Sequence, residues 1–267
     1  MNYKYLSDTD LKIPEIGLGT WNYSGGTAPL RKGIDMGANL IDTAEGYYTE
    51  DVVGKAVRGG RDEVVIATKV SGRNLAHDNV LRSAEKSLEK LQTDFIDLYQ
   101  IHWPNYVHPI EETMEAMQKL VDRGTVRYIG VSNFSVGDMK EAQHFLPHSR
   151  IVSNQVLYNL NSREIEKELI PYCAKRNITV LAYTPLDSGT LCNVSGRLSP
   201  ERYKVLSNIA DEAGKTMAQV ALNWCIRHEN VIAIPKSNSV ERTAENCGSS
   251  GWYLNDNHKD RLNKAFL

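Results

Sequence analysis

The chain has 267 residues, of which 41% are hydrophobic and 24% are charged, and its formal net charge is -2. This size and composition fit one large globular domain or two small ones, and the near-neutral charge argues against a nucleic-acid-binding protein. The polar amino terminus and the lack of a long apolar run argue against secretion and membrane insertion. Four widely spaced cysteines without a Cys-x-x-Cys pair predict a reduced, cytoplasmic protein.

The predicted elements begin with two short apolar stretches that flank a Ser-Asp-Thr-Asp turn, which predicts a β-hairpin over residues 4–13. After it, short apolar strands alternate with amphipathic helices to the end of the chain. Strands are predicted over residues 16–21, 39–41, 64–70, 95–103, 126–133, 151–158, 178–185 and 231–234. Helices are predicted to end near 36, to span 49–58, 79–91, 110–123, 137–145, 162–176, 200–213 and 217–227, and to begin last near 239.

Eight strands that alternate with helices, without a linker, predict an α/β protein with one closed (β/α)8 TIM barrel over residues 1–267. The hairpin is expected to close the bottom of the barrel. An open doubly wound sheet is the competing architecture. It is disfavoured because the stretch Gly17-Leu-Gly19-Thr-Trp-Asn22 lacks the third glycine of the dinucleotide-binding turn. The absence of a Walker loop, of His-Glu-x-x-His and of Cys-x-x-Cys argues against metal and nucleoside triphosphate chemistry.

Polar side chains stand at the ends of three neighbouring predicted strands. Asp42, Lys69 and His102 each follow or end a strand, and Tyr47 lies on the loop after Asp42. Active sites of this fold are built at the carboxyl ends of the strands, so we expect the four to converge. A buried lysine beside a phenol is expected to lower the pKa of the phenol, and Asp42 can hold the ammonium in place. With His102 orienting the oxygen, the set predicts protonation of an aldehyde or ketone oxygen while another group delivers hydride.

Five motifs occur along the chain: Asp42-Thr-Ala-x-x-Tyr47, Thr68-Lys69, Gln100-Ile-His102-Trp-Pro, Gly130-Val-Ser-Asn133-Phe and Ile234-Pro-Lys236-Ser. In order and spacing they resemble the motifs of the aldo-keto reductases, from Gly17 to the last helix. The resemblance implies a barrel that binds an extended nicotinamide cofactor without a Rossmann fold. It also implies a catalytic tetrad of Asp42, Tyr47, Lys69 and His102, with Tyr47 as general acid in reduction and as base in oxidation.

The resemblance further implies a cofactor site. Two cations beside hydroxyl groups suit the 2'-phosphate of NADPH, so NADPH is expected, with NADH as a weaker alternative. The implied contacts are Gly19 and Thr20; Ser132, Asn133 and Gln155 to the carboxamide; Tyr183 stacked on the nicotinamide; Thr184, Leu186 and Ser188 at the pyrophosphate; Lys236, Ser237, Ser239 and Arg242 at the 2'-phosphate; and Glu245 and Asn246 at the adenine.

The expected substrate is a small carbonyl compound. Trp21 and Trp103 match tryptophans that line an aromatic pocket in the family, with Asn22, Tyr48 and Tyr106 as possible rim residues. The chain ends about one helix beyond Asn246, from which we expect an open pocket and broad specificity. A monomer is the family default.

Each candidate residue also has a purely structural explanation. Lys69 alone is better explained as a structural lysine. The alternative explanation for His102 is a core histidine and for Tyr183 core packing, and for Lys236 and Arg242 it is solvated charges at the start of a helix. The enzyme hypothesis explains all of them with one geometry. Two other functions stay open: an aldolase-type barrel that forms a Schiff base on Lys69, and a cofactor-binding regulatory module.

Overall fold

The computed structural model describes residues 1–192 and 196–267, so that part of the predicted loop after residue 185 lies outside the described residues. A two-stranded antiparallel hairpin precedes eight parallel strands, which pair in chain order. The hairpin strands are β1 (Tyr3–Tyr5) and β2 (Lys12–Pro14). The parallel strands are β3 (Leu18–Gly19), β4 (Leu40–Asp42), β5 (Val65–Val70), β6 (Ile96–Ile101), β7 (Val126–Ser132), β8 (Ile151–Leu157), β9 (Thr179–Tyr183) and β10 (Val231–Ala233).

The first and last parallel strands meet and close the sheet. Parallel bridges join Ile16 to Ala233 and Gly19 to Lys236, and the Gly17 amide donates to the Ala233 carbonyl at 2.8 Å. A Cβ on Gly19 would lie 2.7 Å from the Ile234 carbonyl oxygen, so glycine is needed for this close approach. The predicted closed (β/α)8 barrel is therefore confirmed.

The helices lie between the strands, as predicted, with two differences. The helix expected over 162–176 is divided into a 3₁₀ turn, Glu164–Glu166, and a short α-helix, because Pro171 is tolerated in a first turn but not in a helix interior. The chain after Ser239 forms two helices, separated by a turn in which Gly251 has φ +89°. The α-helices are α1 (Ala28–Asp35), α2 (Glu50–Val57), α3 (His77–Leu91), α4 (Ile110–Asp122), α5 (Val136–His144), α6 (Leu169–Lys175), α7 (Pro200–Ala213), α8 (Met217–Cys225), α9 (Val240–Cys247) and α10 (Asp256–Ala265).

The hairpin closes the bottom of the barrel, as predicted. Leu6 and Ile13 pack with inward-facing side chains of the barrel strands, including Leu40. The Ser7 amide donates to the Thr179 hydroxyl at 2.8 Å, at the start of β9. The Lys4 amine reaches the segment between α8 and β10 and donates to the carbonyl groups of Ile226, His228 and Val231 at 2.8, 2.9 and 3.0 Å.

Burial divides the core into an inner cluster inside the barrel and a larger cluster between strands and helices. The carboxyl ends of the parallel strands point away from the hairpin, so the mouth of the barrel lies at the opposite end. Among the helices that the structure describes, none has the length and apolar character needed to cross a bilayer.

Candidate active site

A buried ion pair forms the base of the site. Asp42 ends β4, and Lys69 points inward from β5, with a separation of 2.8 Å between the amine and Oδ2. The amine also donates to the Thr43 carbonyl at 2.8 Å, and the Lys69 side chain is 0% exposed. Burial lowers the pKa of Lys69, while the Asp42 carboxylate opposes that change. The Asp42 carboxylate thus favours the positive charge of Lys69 inside the barrel.

Gln155 is a third member of this base. Its amide nitrogen donates to Oδ1 of Asp42 at 2.6 Å. The resemblance places Gln155 at the cofactor carboxamide and gives no sign of this contact. The contact joins β8 to β4 across the barrel, so only the assembled fold brings the two residues together. Both oxygens of Asp42 therefore have donors, which fixes the orientation of the carboxylate.

Tyr47 and His102 lie above the ion pair. Tyr47 ends a 3₁₀ turn, Glu45–Tyr47, and its hydroxyl lies 3.2 Å from Nε2 of His102. The two rings meet edge to face at 5.3 Å. The Lys69 amine lies 4.8 Å from the centroid of the Tyr47 ring. The structure thus brings all four residues of the predicted tetrad together.

The pKa of Tyr47 differs from the prediction. Burial, and then the negative charge of Asp42, raise it above its ordinary value, whereas the sequence predicted a lowering by Lys69. The prediction was wrong because burial dominates the pKa of Tyr47, while the Lys69 amine directs its hydrogen bonds to Asp42 and Thr43. Burial, and then the charge of Lys69, lower the pKa of His102 to about 4. At neutral pH, both rings are therefore neutral groups that can donate a hydrogen bond.

Four residues that are predicted to contact the nicotinamide form a network beside the tetrad. The Ser132 hydroxyl donates to the Gln155 carbonyl at 2.9 Å, and the Asn133 amide donates to the Ser132 hydroxyl at 3.0 Å. The Tyr183 hydroxyl donates to Oδ1 of Asn133 at 3.0 Å. The ends of β7, β8 and β9 are thereby tied together. The Asn133 amide also donates to the His102 carbonyl at 3.2 Å, which links the network to the tetrad.

The loops at the mouth contain strained backbone. Thr184 and Ser188 both have φ +52°, and Asp187 between them has φ +49°. Asn133, at the end of β7, has φ +61°. Residues other than glycine adopt this conformation at a cost in free energy and are concentrated at binding and catalytic sites. The strain coincides with the segment predicted to hold the pyrophosphate, where Asp187 accepts a hydrogen bond from Asn161 at 2.9 Å.

The residues predicted at the 2'-phosphate lie at the start of α9. The Ser239 hydroxyl caps the helix by accepting from the Arg242 amide at 3.2 Å, and the Ser237 hydroxyl donates to the Ser239 carbonyl at 3.0 Å. Lys236 and Arg242 are exposed beside these hydroxyl groups. Two cations at a helix amino terminus suit a phosphate group. Gly19 and Asn246 line one small cavity with Ser237, whereas Glu245 is half-buried nearby on α9.

Two half-exposed tryptophans follow strands at the mouth. Trp21, after β3, is 56% exposed, and Trp103, after β6, is 52% exposed. Tyr48 and Tyr106 are more exposed still. These aromatic side chains offer apolar surface to a ligand, consistent with the predicted substrate wall.

Comparison with known proteins gives concordant results. A model of the Aldo/keto reductase family matches residues 15–265. Methylglyoxal reductase YeaE of Escherichia coli is 37% identical, with 96% of this chain and 92% of that protein aligned. A thermostable aldo-keto reductase solved with the inhibitor epalrestat is 38% identical and superimposes with a TM-score of 0.91 over 99% of this chain and 100% of that one. An aldo-keto reductase from Klebsiella pneumoniae, solved with NADPH, is 38% identical with a TM-score of 0.89 over 100% and 96% of the two chains.

Proposed function

The chain belongs to the aldo/keto reductase family, and we propose that it reduces small aldehydes and ketones to alcohols with NADPH, using Tyr47 as general acid. The observation that supports this most directly is the placement of the Tyr47 hydroxyl, 3.2 Å from His102 and above the buried pair of Lys69 and Asp42. Two neutral donors side by side suit a carbonyl oxygen that gains negative charge. The nicotinamide, when bound, supplies the hydride.

Tyr47 donates its proton to the carbonyl oxygen. Its raised pKa keeps the phenol protonated at neutral pH, and an alkoxide is more basic than a phenolate. Positioned proton transfer of this kind contributes about 10²- to 10⁴-fold to a rate. His102, which is neutral at this pH, holds the oxygen by a second hydrogen bond.

Lys69 stabilises the negative charge that Tyr47 carries after donation. Its amine lies 4.8 Å from the phenol ring, and Asp42 and Thr43 fix its position. The same contacts argue against Schiff-base formation, because a nucleophilic amine must reach the substrate and this one is buried and paired.

The cofactor preference rests on Lys236 and Arg242. Both stand at the start of α9 beside Ser237 and Ser239, and these four residues would hold the 2'-phosphate. A relative from Klebsiella pneumoniae was solved with NADPH, which agrees with this preference. NADH lacks that phosphate and remains the weaker alternative.

The substrate class is inferred from the mouth of the barrel. Trp21 and Trp103 offer exposed aromatic surface, and the relative from Escherichia coli is named a methylglyoxal reductase. Small aldehydes and dicarbonyl compounds that place their polar oxygen at Tyr47 fit this arrangement. We expect several of them to be accepted.

The decisive experiment measures NADPH oxidation with a panel of aldehydes, ketones and methylglyoxal. Wild-type protein should turn over several substrates, and Tyr47→Phe should bind NADPH without turnover. Wild-type protein that binds NADPH tightly but reduces nothing would overturn the proposal in favour of a cofactor-sensing module.

A second experiment tests the phosphate contacts. Lys236→Met should raise the KM for NADPH by about tenfold, as expected when a charged hydrogen bond worth ~1.4 kcal/mol is lost. The KM for NADH should stay unchanged, because NADH has no 2'-phosphate. Lys259→Met is a suitable control, because Lys259 is a lysine of α10 paired with Asp256. An equal rise for both cofactors would contradict the assignment.

A further inference from the structure

We infer that Glu50, the first residue of α2, is a positioning residue: its buried carboxylate holds Lys69 in place and protonated from the outer face of the barrel wall. The inference rests on the proposed function, in which Lys69 stabilises the ionised Tyr47. None of the five motifs includes Glu50, which lies three residues beyond the tetrad tyrosine.

Glu50 forms a hydrogen bond with β5 directly beside Lys69. Its carboxylate is 1% exposed, and Oε1 accepts a hydrogen bond from the Thr68 hydroxyl at 2.7 Å. Neighbouring residues of a strand point to opposite faces, so Thr68 faces the helices while Lys69 faces the barrel interior. Glu50 therefore contacts the side chain of the residue that directly precedes the tetrad lysine.

The residue before Glu50 supports the other half of the ion pair. The Thr49 hydroxyl lies 2.9 Å from the Thr43 hydroxyl and 3.0 Å from the Thr20 hydroxyl. Thr20 in turn donates to the Asp42 carbonyl at 2.9 Å. Thr43 is the residue whose carbonyl accepts from Lys69. The first residues at the start of α2 thus form hydrogen bonds to the end of β4 and to β5, on the outer side of the barrel wall.

The charge of Glu50 also acts on Lys69. Inside the barrel, Asp42, Tyr47 and His102 face the Lys69 amine, and Glu50 faces it from behind the wall. Burial lowers the pKa of Lys69, and the negative charges of Asp42 and Glu50 both oppose the lowering. Glu50 is thus a second carboxylate that favours the ammonium form.

A purely structural role would not need a charge at this position. A glutamine could accept the Thr68 hydrogen bond equally well, whereas burying a carboxylate costs free energy. The Lys90 amine lies 3.7 Å from Oε2, but the Lys90 side chain is 44% exposed, and the buried Tyr99 ring on the other side is neutral. Among the described residues, Oε2 has no hydrogen-bond partner. The negative charge is therefore only partly compensated on the helix side.

Glu50→Gln tests the inference because it keeps an acceptor for Thr68 and removes the charge. We expect Lys69 to lose its proton at a lower pH than in wild type, because one of the two carboxylates that favour its ammonium form becomes neutral. The titration can be followed by NMR on ¹³C-labelled lysines, with Lys69→Met to assign the signal. The alkaline limb of the kcat/KM profile should move by the same amount, while the Kd for NADPH stays unchanged.

Two further variants separate charge from shape. Glu50→Asp keeps the charge on a shorter side chain, so its alkaline limb should remain at the wild-type pH even where kcat falls. If Glu50→Gln does not fold, Glu50→Gln combined with Lys90→Met removes both charges and should show the same shift. An unchanged Lys69 titration in the charge-neutral variant would overturn the inference. Wild-type protein without carbonyl reduction would instead overturn the proposed function, and the NMR titration would still test Glu50.

Discussion

Two clusters in this protein each contain a carboxylate, at least one cation and a tyrosine. They differ in the hydrogen-bond partner of the tyrosine hydroxyl. At the mouth, the Tyr47 hydroxyl has one hydrogen-bond partner among the described residues, Nε2 of His102 at 3.2 Å. On the outer wall, the Tyr158 hydroxyl donates to Glu166 at 2.6 Å. Tyr158 thus donates its proton to a carboxylate, whereas Tyr47 has no carboxylate acceptor in the part of the chain that the structure describes and can offer its proton to a ligand.

We call the second cluster the outer network; it consists of Arg163, Glu166, Arg227, Tyr158 and Trp224. Glu166 accepts from Arg227 at 2.6 Å and from Arg163 at 2.8 Å, and the Arg227 guanidinium lies 3.6 Å from the Trp224 ring. Burial raises the pKa of Glu166, but hydrogen bonds from these partners outweigh it and lower that pKa to about 2. The outer network pairs its tyrosine and arginines with a carboxylate, which is expected to stabilise the fold, whereas in the proposed function the unpaired proton of Tyr47 serves the reaction.

The largest expected effect comes from removing each tyrosine hydroxyl. Tyr47→Phe should lower kcat by about 10³-fold, because proton donation is lost. Its unfolding free energy should stay close to that of wild type. Tyr158→Phe should leave kcat unchanged and lower the unfolding free energy by ~1–2 kcal/mol, because a buried hydrogen bond to a carboxylate is lost. Steady-state kinetics and urea unfolding on both variants measure the contrast, and a loss of activity in Tyr158→Phe would erase it.

Glu166→Gln should have the next largest effect. It leaves two arginines beside Trp224 without their carboxylate, and we expect a loss of about 2 kcal/mol in unfolding free energy. This is less than for a fully buried pair, because the Glu166 side chain is 23% exposed. The midpoint of urea unfolding measures the loss. An unchanged midpoint would show that the outer network contributes nothing to stability.

A smaller effect concerns the two half-buried histidines, one near each cluster. Burial lowers the pKa of both His102 and His228 to about 4 from 6.5. The unfolded chain therefore binds their protons first, and each histidine makes stability fall as the pH drops from about 6.5 to about 4. His102→Gln and His228→Gln should each flatten this fall in Tm, but only His102→Gln should lower kcat. If Tm fell with pH as steeply in both variants as in wild type, the two histidines would not be the cause of the acid destabilisation.

The smallest effect is expected at the surface. Glu212 pairs with Arg261 and His258, so that one carboxylate contacts two basic side chains, as in the outer network. Its carboxylate is solvated, so Glu212→Gln should shift Tm by less than about 1 °C. A shift as large as that of Glu166→Gln would show that burial is not what distinguishes the two.

The sequence predicted what depends on local pattern. Alternating apolar stretches located eight strands and the hairpin, and the polar residues at their ends located the tetrad. Contacts between distant elements could not be read in this way. In the pairing of β7 with β8, the register shifts between Ile129 and Gly130, so that Ile151 and Ser153 have consecutive partners. The period of two is interrupted there, and no pattern would show that Gln155 faces Asp42.

The direction of the Tyr47 pKa was also beyond the sequence. It depends on the depth of burial and on where the Lys69 hydrogen bonds point, and both are properties of the assembled barrel. The outer network was missed for a similar reason. Glu166 ends a 3₁₀ turn, whereas Trp224 and Arg227 lie at the end of α8 and just after it, and each resembles an ordinary residue of a helical segment by itself.

The hairpin and the first barrel strand bear on how the chain folds as it leaves the ribosome. Lys4 and Asn2 form hydrogen bonds with Ile226 and Ser250. The barrel closes only when the chain around β3 forms its bridges to the chain around β10. Residues 2 and 4 are thus synthesised long before the residues with which they form these hydrogen bonds. Until then, both edges of the sheet lack their partners, and unpaired edges favour aggregation. We therefore expect nascent chains that stop before Val231 to depend on chaperones, although most of the barrel has already been made.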